Sequence, residues 1–186
     1  MHRFSKLEKM IRVFALCLRL RDHLPRIRKN LANKNNPHIP PEIRKNSRVI
    51  TVSELQDARQ ICILISQSTD FSQEIIALQR GKEINKGNSM VRLAPFLDKM
   101  GIIRVGGRLH NSNLSFNDKH PPIISGNSQL GKLIIDWGHR MALHGEFRVT
   151  NVYVMRQAWL VRGTVCIKSH VHKCLICAKI RAKITS

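Results

Sequence analysis

Acidic residues are scarce in this chain. Its 186 residues hold 12 Asp+Glu against 32 Lys+Arg, a formal net charge of +20. That deficit disfavours functions built on an acidic surface and favours polyanionic partners: DNA, RNA or anionic lipid. Aromatic residues are scarce too, at 5%, so a platform of aromatics for stacking bases is disfavoured. Long apolar runs are missing. Near the start, the longest is Val13 to Leu18, closed on both sides by Arg12 and Arg19. A secretory signal needs ~7–15 apolar residues, and a membrane-spanning helix needs about 20. Glu8 and Asp22 weaken a mitochondrial presequence as well. The cysteines, Cys17, Cys62, Cys166, Cys174 and Cys177, are odd in number, and no disulfide framework is expected.

What is present is enough for a core, since 42% of residues are hydrophobic; a wholly disordered basic tail is excluded. The charge is unevenly placed. Residues 1–48 carry 13 Lys/Arg and 3 acids, residues 49–95 carry 5 and 5, and residues 96–186 carry 14 and 4. Two basic regions flank a neutral one.

Residues 4–29 read as a basic amphipathic helix, with Phe4, Leu7, Met10, Ile11, Phe14 and Leu18 at helical spacing. Such a helix packs on a neighbour, or meets nucleic acid or a membrane surface. Residues 30–48, rich in Asn and Pro, read as a linker. A helix is expected after Ser53 as N-cap, with Gln56 completing a capping box. Leu55, Ala58, Ile61, Cys62 and Ile65 form its face, and Cys62 reads as a small buried residue. Asp70 to Arg80 reads as a second helix ended by Gly81, and 81–90 as a loop. Leu97 to Leu109 reads as a hairpin, with a bulge or bend at Gly106-Gly107. Pro121 to Ile124 could add an edge strand. The glycine pair is no phosphate loop, because no Gly-Lys-Ser/Thr follows.

From residue 128 onward the pattern is helical. Leu130, Ile134, Trp137 and Met141 mark one face, and Gly145 is the expected stop. A second helix is expected over 147–158 despite the poor propensity of its β-branched run. A third is expected from Thr164 to Lys179.

One constellation carries chemistry. His139 and His144 enclose four residues, Cys174 and Cys177 enclose two, and 29 lie between the pairs. Two imidazoles and two thiolates form a neutral tetrahedral set for Zn²⁺. Gly145 is expected to let the chain turn so that both histidines face one point, and Lys173, Lys179 and Arg181 to lower the thiol pKa values. The bland alternative is a reduced cysteine pair with solvent-facing histidines. A thioredoxin-like redox pair lacks its strand–C-x-x-C–helix context. His170 and His172 are near enough to replace a ligand; they read as surface or nucleic-acid-facing. Four protein ligands would close the site to a catalytic water, making it structural.

The H-x4-H-x29-C-x2-C order resembles the integrase zinc-binding (HHCC) domain of retroelements. The surrounding chain looks like a BEL/Pao-type retrotransposon polyprotein. The residues that carry this are Leu97-Asp98, Gly101 to Leu109, His120-Pro121, His139, His144-Gly145, Trp159 and Cys174 to Cys177. The resemblance is specific over 96–177. It is looser at Thr51-Val52 with Leu55 and at Arg3-Phe4-Ser5 with Arg12-Val13. Two positions depart from the family pattern: Glu146 replaces a usual Gly, and Ala158-Trp159 replaces an aromatic pair. The resemblance also implies a DDE catalytic core after the zinc domain. The chain stops nine residues after Cys177, and no Glu lies 36 positions after any Asp. The carboxylates for two-metal strand transfer are therefore not expected here.

The resemblance implies a mainly α chain with a small β-hairpin region and a zinc-stabilised three-helix, helix-turn-helix-like bundle at the C-terminus. The expected parts are 1–48, a basic helix and linker; 49–90, a helical linker; 91–126, the hairpin segment; and 127–186, the zinc domain. Expected core residues are Trp137, Met141, Val152, Met155, Trp159, Ile167 and Val171. Arg140, Arg148, Arg156, Arg162, Lys168, Lys173, Lys179 and Arg181 are expected to face phosphates, most simply those of DNA. The implied function is a non-catalytic integrase module that binds one structural Zn²⁺, nucleic acid and other polyprotein or integrase copies, in the nucleus and without a membrane. The alternatives are a host-used nucleic-acid-binding protein from such an element, or a decayed fragment, since Met1 falls where the family's chain is mid-polyprotein.

Overall fold

A computed structural model describes residues 6–32, 49–85, 87–107 and 114–184. The chain is mainly helical with two small sheets. It divides into two compact units, Glu8–Cys62 and a larger one that comprises the chain from Ile63 onward together with the residues up to Leu7. The expectations for Phe4, for most of the 30–48 linker and for Arg108-Leu109 fall outside the described residues.

In the smaller unit, α1 spans Leu7–Ala32, running past the helix end expected near residue 29. Met10 and Ala15 are buried in it. The next helix, α2 (Val52–Asp70), begins two residues earlier than expected. Its cap is Thr51, not Ser53. The Glu54 N–H donates to Thr51 Oγ1 at 3.3 Å, and the Thr51 N–H donates back to Glu54 Oε2 at 2.8 Å. This reciprocal box satisfies two orphan donors of the first turn. Arg19 grips the same carboxylate with two hydrogen bonds, 2.7 and 2.6 Å long. Together they hold Glu54 well below the usual carboxylate range, at about 2, with the Arg19 contact the largest cause. Cys62 is buried, as expected, and burial pushes its thiol up to about 12.

The larger unit begins with the rest of α2 and then α3 (Ser72–Gln79). A 3-10 turn (Ser89–Leu93) starts inside the stretch expected to be loop. The hairpin is real but short. Strands β1 (Phe96–Leu97) and β2 (Ile103–Arg104) pair antiparallel. The turn between them is built on Asp98, whose Oδ1 accepts the N–H groups of Met100 and Ile102 at 2.8 and 3.0 Å. Asp98 also pairs with Arg104, and both side chains are nearly buried. Burial acts to raise the Asp98 carboxyl, but Arg104 and the two N–H groups leave it below its ordinary value. At Gly106 the expected bend is a close approach. A Cβ there would lie 2.2 Å from the Ala94 carbonyl oxygen.

Phe71, Met90, Ile103 and Ile123 form the core of this part. Buried among them is Gln67. Its Nε2 donates to the Ile103 and Ile123 carbonyls at 2.8 and 2.7 Å, and its Oε1 accepts the Ile103 N–H at 2.9 Å. One amide thus completes the hydrogen bonding of two segments that are distant in sequence.

After α4 (Phe116–Lys119), β3 (Ile123–Ser125) pairs in parallel with β4 (Trp159–Val161). The strand expected over Pro121 to Ile124 is thus present as β3, and Pro122 bridges Arg104 of the hairpin, but the parallel partner Trp159–Val161 was not expected. Between its strands lie α5 (Gln129–Met141) and α6 (Phe147–Met155), and after it come α7 (Gly163–Lys173) and α8 (Leu175–Ile184). Four helices and one strand of a parallel pair thus occupy the segment where three helices were expected. The third expected helix breaks at Cys174, which has an extended backbone (φ −68°, ψ 119°).

The buried set differs from the expected core. Ile167 is fully buried. Trp137, Trp159 and Val171 are half-buried. Met141, Val152 and Met155 are exposed. The face of α6 that meets α5 instead carries Thr150 and Val154, opposite Gly138. A Cβ at Gly138 would lie 2.7 Å from Val154 Cγ2, so only glycine admits this approach.

Candidate metal centre

The spacing of the two histidines follows from how α5 ends. Leu143 has a left-handed backbone (φ 50°), its N–H donates to the Arg140 carbonyl at 3.0 Å, and the His144 N–H donates to the His139 carbonyl at 3.0 Å. This pair of bonds is the Schellman motif, with His139 and His144 at the two positions whose side chains ordinarily touch. Their rings lie 4.8 Å apart, edge to face. The turn is thus made by Leu143 and His144 (φ 60°), not by Gly145, which is not in the left-handed region.

The cysteine spacing has an equally local cause. The Cys174 carbonyl accepts the Ala178 N–H at 2.9 Å, which makes Cys174 the N-cap of α8 and puts Cys177 in its first turn. Side chains at those two positions lie on the same side of a helix start.

All four side chains converge, with one donor atom from each of His139, His144, Cys174 and Cys177 lying within 4.8 Å of the others. Cys174 Sγ is 3.4 Å from His144 Nδ1, and Cys177 Sγ is 3.3 Å from His139 Nε2. Tetrahedral Zn–S and Zn–N bonds would set neighbouring S and N atoms about 3.6 Å apart. The donor set fits a four-coordinate ion of that class.

His139 and Cys177 are buried, while His144 and Cys174 are half-buried. Burial lowers the His139 pKa, with His144 and His170 adding to the effect, which favours the neutral, ligating imidazole. Burial, and then Cys174, push the Cys177 thiol up, and Arg181 opposes this only in part. The expected lowering by nearby cations is therefore corrected for Cys177. A bound cation reverses that balance, because coordination deprotonates a thiol outright.

Sequence reasoning missed the residue that orients His139. Thr150 Oγ1 lies 3.2 Å from His139 Nδ1 and donates its own hydrogen to the Gly145 carbonyl at 3.1 Å. Thr150 can then only accept from Nδ1–H, which leaves the Nε2 lone pair for the metal.

His170 stands outside the donor group, with its ring 5.4 Å from that of His139 and Nε2 3.9 Å from Asp136 Oδ1. It is half-buried rather than on the surface as expected. His172 is exposed, and its carbonyl accepts from Arg181 Nη2 at 3.2 Å. Of the expected phosphate contacts, Arg148, Arg156, Arg162, Lys168, Lys173, Lys179 and Arg181 are exposed. Arg140 is corrected: it is only partly exposed, and its Nε donates to Asp136 Oδ2 at 3.0 Å. Compared with protein-family models, curated proteins and solved structures, the chain matches none.

Proposed function

We propose that residues 127–186 are the zinc-binding module of a BEL/Pao-like retrotransposon integrase. The module is structural rather than catalytic. It serves DNA integration in the nucleus by binding nucleic acid and helping integrase copies associate. The observation that carries this reading is the convergence of His139, His144, Cys174 and Cys177 within 4.8 Å. When bound, zinc cross-links the end of α5 to the start of α8. Such a staple is what a bundle of this size needs, since below about 70–80 residues a core alone rarely suffices. Four protein ligands leave no open position for a catalytic water.

Charge supports the nucleic-acid part. From Phe147 to Ser186 the sequence holds eight Lys/Arg and no acid. Such a surface binds phosphates without regard to sequence, with an affinity that falls as salt rises. A host-used nucleic-acid-binding protein with the same module is the second reading, favoured by this same stretch.

The test is duplex DNA binding by purified protein, titrated with salt, for the parent and for the double variant Cys174→Ser, Cys177→Ser. The reading expects log affinity to fall linearly with log salt, and binding to be lost with the double variant. Binding that ignores salt, or that survives unchanged without the cysteines, contradicts it.

A further inference from the structure

A second feature lies away from the donor atoms. Val154, Met155, Trp159, Leu160 and Val165 line an open cavity of about 260 Å³ between α6, β4 and the start of α7, and Asn151, Arg162 and Thr164 are its polar lining. The apolar lining continues outward. Val165 is 70% exposed, and on α6 Met155 is followed at three-residue intervals by Val152 and Val149, all about half exposed. Exposed apolar side chains gathered at the mouth of a cavity are the kind of surface that marks an interaction site. At 100° per residue, Arg148 and Arg156 share that face of α6, and both are exposed. The sequence holds no acid from 147 to 186, and Glu146, at the N-cap of α6, is the acid just before that stretch.

The occupant must therefore satisfy two conditions, an aliphatic group for the cavity and negative charge for the rim. Nucleic acid meets the second only. Its bases stack on aromatic faces, and Trp159 is the one aromatic side chain in this lining. A second copy of this chain would bring the same positive face, and like charges would oppose it. An acidic amphipathic helix meets both conditions. Such a helix lays apolar anchors at i, i+3, i+4 and i+7 into a groove, and a methionine in the wall adapts to the anchor.

We propose that the α6–β4–α7 cavity, with the Val149–Val152–Met155 stripe, is a docking groove for an acidic amphipathic helix of a partner protein. The leading anchor enters the cavity beside Trp159, and its carboxylates face Arg148, Arg156 and Arg162. The groove does not depend on which metal the four donors hold.

The probe is a fluorescein-labelled peptide of Glu, Ala and Leu, about 18 residues long, with Leu at the i, i+3, i+4, i+7 positions. Its control is a peptide of the same composition with the order scrambled. Binding to the full chain is read by anisotropy, with oligo-dT as competitor. Met155→Gln and Val165→Gln change apolarity without changing charge, and far-UV circular dichroism confirms that each is folded. The amphipathic peptide is expected to bind about tenfold tighter than its scramble, and each variant to remove most of that difference. Equal binding of the two peptides, or binding unmoved by both folded variants, overturns the proposal. So does oligo-dT binding that is tighter than the peptide's and is itself lost in the variants, which would assign the cavity to single-stranded nucleic acid.

Discussion

The His144 N–H donates to the His139 carbonyl at 3.0 Å, closing the turn that ends α5. A bond between the two backbones thereby sets how the two rings meet. The four-residue gap between the histidines is the gap that a Schellman motif imposes, so half of the donor set is positioned by a helix terminus before any metal arrives.

That turn gives a first prediction. Leu143 is 89% exposed and left-handed, a conformation that costs an L-residue about 1–2 kcal/mol. Leu143→Gly should keep metal binding and gain up to about 1 kcal/mol of stability, after the entropy glycine loses on folding. Leu143→Pro cannot reach this φ and has no N–H for Arg140, so it should abolish metal binding. Thermal melts and metal titration of the two variants check both outcomes.

Thr150 provides a second. Thr150→Val removes the acceptor for His139 Nδ1–H while keeping the shape. Metal affinity should fall about 10- to 100-fold, measured against a competing chelator, and Thr150→Ser should restore it. An unchanged affinity in Thr150→Val would show that packing alone orients the ring.

Gln67 yields a third. Gln67→Leu leaves three buried backbone groups, the Ile103 N–H and the Ile103 and Ile123 carbonyls, without their partner. At about 1–3 kcal/mol for each, the loss should be at least about 3 kcal/mol. Urea denaturation gives the value directly.

Acid should weaken the smaller unit through Glu54. Its folded pKa, about 2, lies below its ordinary 4.5. The stability this carboxylate contributes is complete above the ordinary value and is lost as pH falls towards 2. Glu54→Gln should flatten the stability curve between those limits. A parent and variant with parallel curves across pH 5 to 2 would remove the Arg19–Glu54 pair from the account.

Much of the site was legible because its causes are local. The x4 and x2 spacings each belong to one helix end, so sequence alone could pair the residues. Thr150 was not legible, because it reaches His139 across two helices and reads in sequence as one β-branched residue among several. Gln67 was hidden in the same way, since its partners lie 36 and 56 residues further on. The β3–β4 ladder joins two three-residue strands, too short for a period to show. The core of α6 was misjudged for a different reason. Hydrophobic spacing selected Val152 and Met155, but the inner face needed small or hydrogen-bonding residues, Gly138 opposite and Thr150 beside the imidazole. The helix break at Cys174 carries no glycine or proline. There the Cys174 backbone is extended and its carbonyl accepts the Ala178 N–H, which starts the next helix.

The central claim is that four side chains hold one structural zinc ion. Metal content of the purified full chain, by mass spectrometry after exhaustive dialysis, tests it most directly. The account predicts one zinc per chain, and its loss with collapse of the helical signal in the double variant Cys174→Ser, Cys177→Ser. A chain that purifies without stoichiometric zinc, or a double variant that keeps both its zinc and its circular dichroism, would contradict it.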